Sequence, residues 1–216
     1  MTINTLTKLI EDHQAHIEDD VRDYIGASSI GSNCFRQIWY GYKGFKGEGV
    51  SPKTRRTWDI GKNLEGLIVK WLENAGAEII TTNLDYSAKE LPFFRGHYDA
   101  LLILEKRPYI LEIKTAKDAS FKVFADKGLR LWNPQYYAQI QSYMGMSEIY
   151  NAYILVLNKD SSVISDELVL FDEEFYKGLE DKAKMIASAN MPPPRINSSP
   201  LWFECKLCKF NKVCHS

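Results

Sequence analysis

The residue types that do chemistry gather in one stretch. Gly96-His97-Tyr98-Asp99 leads into an apolar run, and Leu111-Glu112-Ile113-Lys114 closes the next one. Side chains alternate along a strand, so Glu112 and Lys114 share one face while Leu111 and Ile113 take the other. With Glu105-Lys106-Arg107-Pro108 as a four-residue hairpin loop, Leu104 pairs with Tyr109. Asp99 then falls opposite Lys114, and Glu112 falls opposite Leu101, diagonal to Asp99. Diagonal neighbours lie roughly 7–8 Å apart, within reach of one bridging cation. A slip of one residue would break the arrangement. Two carboxylates beside an ammonium suit phosphodiester hydrolysis. Hard Mg²⁺ or Mn²⁺ takes oxygen ligands, activates bound water and offsets phosphate charge. A lysine orients that water or stabilises developing charge. A solvated amphipathic hairpin is the plainer reading of any one of these residues. It fits poorly with the core-like run Leu101–Leu104.

A second set is the four cysteines. Cys205-Lys206-Leu207-Cys208 and then Cys214 crowd the end of the chain, while Cys34 lies far upstream. Four thiolates suit an iron–sulfur cluster or zinc, and the spacing leaves both open. His215 is a further donor for a zinc site.

Composition bounds the rest. The chain has 216 residues, 27 Lys and Arg against 28 Asp and Glu, and a net charge of −1. That is the size of one globular domain. The balance argues against wholesale electrostatic binding to nucleic acid but permits a local basic groove. No apolar run approaches a membrane span, and residues 1–14 lack a charged-then-apolar leader, so a cytoplasmic location is expected.

These residues need elements to hold them. Residues 2–24 read as an acidic helix or two, with Leu6, Leu9, Ile10, Ile17 and Val21 as apolar positions. Ser28–Ser32 is cap chemistry opening a helix through Cys34–Tyr42. Residues 43–53 read as a glycine-rich loop. The next helix runs from Arg55 to Ala75, with Ile60, Leu64, Leu67, Ile68, Trp71 and Leu72 as its apolar face. Strands are expected at Glu78–Thr82, Leu84–Ser87, Phe94–Leu104, Tyr109–Thr115, Ala152–Leu157 and Val163–Leu170. Residues 116–130 read as basic and irregular. Asn133 caps and Pro134 starts a helix through Met146, and Asp172–Ala189 reads as another. Met191–Pro200 is a proline-rich linker delivering the terminal cysteines. The order gives an α/β (α+β) fold with a mixed sheet flanked by helices.

Asp99 followed by Glu112-Ile113-Lys114 resembles the metal motif of the PD-(D/E)XK nuclease superfamily. The resemblance implies a restriction-endonuclease-like core. Two more stretches resemble its RecB-like branch: Gly61-Lys62-Asn63-Leu64-Glu65 on the helix before the sheet, and Gln139-Ile140-Gln141-Ser142-Tyr143 after it. Cys34 with Cys205, Cys208 and Cys214, amid Ser29-Ile30-Gly31-Ser32-Asn33-Cys34-Phe35-Arg36 and Trp202, resembles the iron–sulfur exonucleases of the CRISPR-associated and AddB types. These resemblances imply roles for individual residues. Asp99, Glu112, Glu65 and the Ile113 carbonyl hold Mg²⁺ or Mn²⁺, and Lys114 serves the attacking water. The four cysteines hold a 4Fe–4S cluster that joins the N- and C-terminal segments and is structural. Gln139 and Tyr143 contact the DNA backbone or order the active site. Arg55, Arg56 and Arg36 are DNA contacts, the first two at a terminal phosphate. The resemblances also imply that residues 1–216 form a single nuclease domain, with 55–190 as its core and 28–42 plus 200–216 as the cluster subregion. The activity they imply is a DNA exonuclease, as in phage recombination, DNA end processing or CRISPR spacer trimming. Its partner is DNA, single-stranded or with free ends, and a homo-oligomer or a recombination partner protein is compatible. A non-catalytic DNA-binding or interaction module and a site-specific endonuclease are the competing readings.

Overall fold

The computed structural model describes residues 5–18 and 22–216. The expected position Val21 lies outside them. In chain order the elements are α1 (Thr5–Ala15), β1 (Ile25–Gly26), α2 (Ala27–Ile30), α3 (Phe35–Tyr42), α4 (Pro52–Asn74), β2 (Glu78–Ala88), β3 (Leu91–Leu104), β4 (Arg107–Ala116), α5 (Asp118–Trp132), α6 (Pro134–Ser147), β5 (Asn151–Asn158), β6 (Ile164–Leu170), α7 (Glu173–Ser188), α8 (Phe203–Lys206) and α9 (Asn211–His215). A mixed sheet runs β1-β3-β4-β5-β6, with β2 also paired to β3. β4 and β5 are parallel and joined through α5 and α6, while β3–β4 and β5–β6 are antiparallel hairpins. Among the described residues, no helix is long and apolar enough to cross a membrane.

Alternation sorts the sheet into two cores. Leu111, Ile113, Leu155 and Leu157 pack with Ile68 beneath α4. Ile110, Ala116, Ile154 and Val156 pack with α2, α3, α6 and α7 on the opposite face. Glu112 and Lys114 project toward this larger core, as the period of two requires. Caps fix the helices that cover it. Asn133 accepts from the amides of Gln135 and Tyr136 ahead of Pro134, and Asp172 accepts from Phe175.

Four expectations change. The hairpin loop is Glu105-Lys106 alone, because Leu104 pairs with Arg107 and Pro108 sits within β4 opposite Ile103. Both turn residues hold positive φ, 50° and 64°. Such a two-residue turn follows the twist of the strands it joins but is usually signalled by Asn-Gly, absent here. Residues 116–130 are mostly helical rather than irregular. Phe121, Phe124 and Leu129 bury one side of α5, and Gly128 at φ 73° kinks it. On α4 the apolar face is narrower than expected, with Ile60, Leu67 and Trp71 40–57% exposed. The helix has 23 residues and is about 34 Å long, more than the small core beneath it can cover. Finally, β2 is one strand with a bulge between Ile79 and Thr81, not two.

Replacing Glu105-Lys106 by Asn-Gly should therefore raise stability by about 1 kcal/mol, since L-residues resist the left-handed region. A thermal melt that does not rise would show that the turn is unstrained.

Candidate active site

The site forms where two strands diverge. β3 and β4 stay paired from Leu104↔Arg107 to Ala100↔Leu111. Beyond that pair β4 continues along β5 while β3 turns away. One further step of the same register sets Asp99 opposite Glu112, not diagonal to it. The two-residue turn thus moves the pairing by two, an even shift that keeps the β4 side chains on their expected faces. At the fork, the Ile113 amide donates to Asp99 Oδ2 at 2.7 Å. Asp99 also sits where β3 passes between cores: Ala100 and Leu102 pack under α4, Tyr98 and Phe94 on the other side.

Glu112 is 1% exposed. Its Oε1 is bonded to Lys114 Nζ, two residues on along the same face. Its Oε2 is buried without a hydrogen-bond partner. Burial, then the nearby Asp99 charge, push the Glu112 carboxyl up to about 8 despite Lys114. Burial also raises Asp99, against Lys114 and the Ile113 amide. Burial raises Glu65 on α4, with Asp99 adding to the effect and Lys114 and Lys62 opposing it. Glu65 therefore reaches the same field from the other layer. Lys114 is held above its ordinary range, because Glu112 and Asp99 outweigh its burial.

The floor comes from α6. Gln139 Nε2 donates to the Tyr143 hydroxyl at 2.6 Å, and both side chains are buried. Burial raises the Tyr143 phenol, and Glu112 and Asp99 add to it. Both residues are thus buried, and Tyr143 feels the charge of Glu112 and Asp99. Tyr143 fits only because position 96 is glycine: a Cβ there would lie 2.6 Å from Tyr143 Cε1.

The arginines lie elsewhere. Arg55 Nη2 donates to the Ile17 carbonyl at 2.6 Å, and Arg56 Nη1 to Gln14 Oε1 at 2.9 Å, with Glu11 at 3.4 Å. They tie α1 and the segment after it to the first turn of α4. Arg36 donates to the Pro193 carbonyl at 2.9 Å and stands over the Tyr40 ring. One group that sequence reasoning missed is Arg22, whose charge opposes the rise of Tyr143. The Tyr136 ring faces Lys114, and Tyr136, Gln139 and Tyr143 are spaced i, i+3, i+7 on one helix face.

Cys34, Cys205, Cys208 and Cys214 line a pocket that none of these carboxylates enters, with Tyr40, Phe210 and His215 among its other walls. All four are free thiols. The Phe210 amide donates to Cys208 Sγ at 3.4 Å, and His215 Nε2 is buried without a partner. Burial, with the neighbouring thiols, raises Cys205 and Cys208. Among the described residues, no three His, Cys, Asp or Glu side chains converge at metal-holding geometry.

The raised Glu112 carboxyl makes stability depend on pH. The unfolded carboxyl ionises near its ordinary 4.5 and the folded one near 8. Between those values the folded state keeps a proton that the unfolded state has lost. The metal-free protein should then lose up to ~1.4 kcal/mol of stability per pH unit as pH rises. Lys114, held above its ordinary range, stays protonated in both states across this window and adds no slope of its own. Glu112→Gln should flatten the slope. Equal slopes in the two proteins would show that Glu112 does not carry the effect.

Solved structures share this fold. One of the protein SSO0001 is 22% identical over 97% of this chain and 93% of its own, with a TM-score of 0.58. An alkaline exonuclease (LHK-Exo) from Laribacter hongkongensis is 12% identical over 84% of this chain and 91% of its own, at 0.58. LHK-Exo in complex with dAMP is 13% identical over 77% and 87%, at 0.60. At these identities the likeness is one of fold. No protein-family model matches the chain, and no curated protein does.

Proposed function

We propose that the chain is a metal-dependent deoxyribonuclease of the PD-(D/E)XK type that degrades DNA from an end. We propose further that a structural 4Fe–4S cluster occupies its cysteine pocket. The hydrolytic reading rests on Glu112. A carboxylate oxygen buried without a partner is costly unless a ligand takes it. Here it is Oε2, beside two further carboxylates. An all-oxygen donor set selects Mg²⁺ or Mn²⁺ over softer ions. Asp99 and Glu112 would hold the ion, with Glu65 and the Ile113 carbonyl completing the set. When bound, such an ion lowers the pKa of water and offsets phosphate charge.

The chain's own groups do the rest. Lys114 presents an ammonium that orients the attacking water and stabilises charge as it develops. Gln139 and Tyr143 brace the carboxylates from below. Arg55, Arg56 and Arg36 act in this reading as structural ties. Attack from an end is supported by the fold shared with LHK-Exo, an exonuclease with a dAMP complex. DNA that is single-stranded or has free ends is then the substrate class.

The cluster reading rests on four thiols at one pocket, an amide aimed at Cys208 Sγ and the unpartnered His215 Nε2. Four thiolates suit a 4Fe–4S cluster, and amide donors to sulfur suit its charge. In this reading residues 1–216 form one nuclease domain, with 55–190 as its core and 28–42 plus 200–216 as the cluster subregion.

Purified protein with Mn²⁺ should shorten end-labelled linear DNA and spare closed circles; cutting of the circle would instead support the endonuclease reading. Lys114→Ala should lower cleavage by ~10²-fold or more, with melting temperature and DNA binding kept. Retained cleavage would remove Lys114 from the reaction. Anaerobically purified protein should absorb at about 400 nm and carry roughly four irons per chain, and Cys208→Ala should lose both and melt lower. A colourless protein with one zinc would leave the nuclease reading and remove the iron–sulfur one.

A further inference from the structure

Lys114 has a second partner that no metal ligand shares. Its Nζ lies 5.0 Å from the centre of the Tyr136 ring, on the first turn of α6. That ring is braced from behind. It stands 5.4 Å from Trp132, and Trp132 stands 5.1 Å from Phe124. Trp132 Nε1 donates to Ser120 Oγ at 2.8 Å. The Asn133 cap fixes the bend between α5 and α6 by accepting from Gln135 and Tyr136. Tyr136 is thus part of a wall built from two helices, not a surface rotamer.

The wall matters because Glu112 is asked to do two things. Its Oε1 holds the Lys114 ammonium, and in the nuclease reading its carboxylate also serves a divalent ion. Engagement with the ion weakens its hold on Lys114. A lysine has a flexible four-carbon stem and much rotamer freedom. An aromatic face attracts an ammonium through its quadrupole, and the attraction grows where water is excluded. The side chain of Lys114 is only 18% exposed. The π-face is a partner that a hard cation seeking oxygen does not compete for.

We propose that Tyr136 is a positioning residue: its ring keeps the Lys114 ammonium aimed into the site while Glu112 is shared with the metal ion. The inference rests on Lys114 serving the attacking water. It assigns the function to the ring and not to the phenol oxygen.

The test compares wild type with Tyr136→Leu and Tyr136→Phe by two readouts. One is kcat and KM on end-labelled DNA with Mn²⁺. The other needs neither DNA nor metal: the rate at which an acetyl N-hydroxysuccinimide ester acylates Lys114, followed by mass spectrometry. Tyr136→Leu should lower kcat by between about 2- and 30-fold, leave KM within about twofold, and speed acylation of Lys114. Tyr136→Phe should recover most of both. Equal damage in Phe and Leu overturns the assignment to the ring. Unchanged kcat and acylation in Leu, with wild type cutting DNA, overturns the grip while the nuclease reading stands. Wild type that cuts no DNA, with Leu alone acylating faster, keeps the grip and removes the nuclease reading. A matched melting temperature for the two variants excludes a folding defect as the cause.

Discussion

A carboxylate buried against a lysine inside the sheet is the interaction around which this fold is arranged. Glu112 and Lys114 are two residues apart on one strand, so they meet without help from any loop. Their burial does need help. β4 lies between β3 and β5, α6 closes the face they point to, and α4 brings Glu65 from the other layer. A buried ion pair is stable only if its remaining polar atoms are satisfied. Lys114 is met by a carboxylate and an aromatic face. Glu112 keeps one oxygen unpaired. That imbalance gives the strand pair a chemical direction, because the surplus is acceptor capacity that feels the charge of Asp99 and Glu65.

The fork between β3 and β4 makes room for this surplus. Were the hairpin paired to its end, the Ile113 amide would face a β3 carbonyl. Instead it is taken by the Asp99 carboxylate, which swaps a backbone acceptor for a charged one at the seam between the two cores. Gly96, three residues earlier on β3, makes the matching allowance: any larger residue would push Tyr143 out of its place under Glu112. Sheet geometry and site geometry are therefore the same fact seen at two scales.

A separate lacing draws the chain's two ends together around the cysteine pocket. Ser32 Oγ accepts from the Cys34 amide, and Lys182 on α7 donates to the Ser32 carbonyl at 2.7 Å. Burial depresses that lysine to about 8. Trp39 Nε1 donates to the Ala189 carbonyl, the Glu48 amide to the Lys209 carbonyl, and Lys212 pairs with Glu48 at 2.7 Å. These contacts bring Cys34 to the terminal cysteines by themselves, so a pocket occupant would be a clamp added to an existing closure.

Local rules carried far. Alternation placed Glu112 and Lys114 opposite Leu111 and Ile113, and it survived the error in register because a two-residue shift changes no face. Asn133-Pro134 and Asp172 marked their helix starts within a residue, because caps act over one turn. The cysteine spacing read as a metal or cluster site; the structure places the four cysteines along one pocket, without metal-holding geometry among the described residues. What the sequence could not supply depends on partners distant along the chain. The register hung on two non-glycine residues at positive φ, which no turn composition signalled. The α4 face was drawn too wide because periodicity cannot report how much core lies beneath a helix. Arg55 and Arg56 bond to the Ile17 carbonyl and to Gln14, partners that no spacing near them could report. The raised pKa of Glu112 follows from desolvation by the strands and helices packed around it. Spacing in sequence determines which way a side chain faces; only the packed structure decides what surrounds it, and its charge follows from those surroundings.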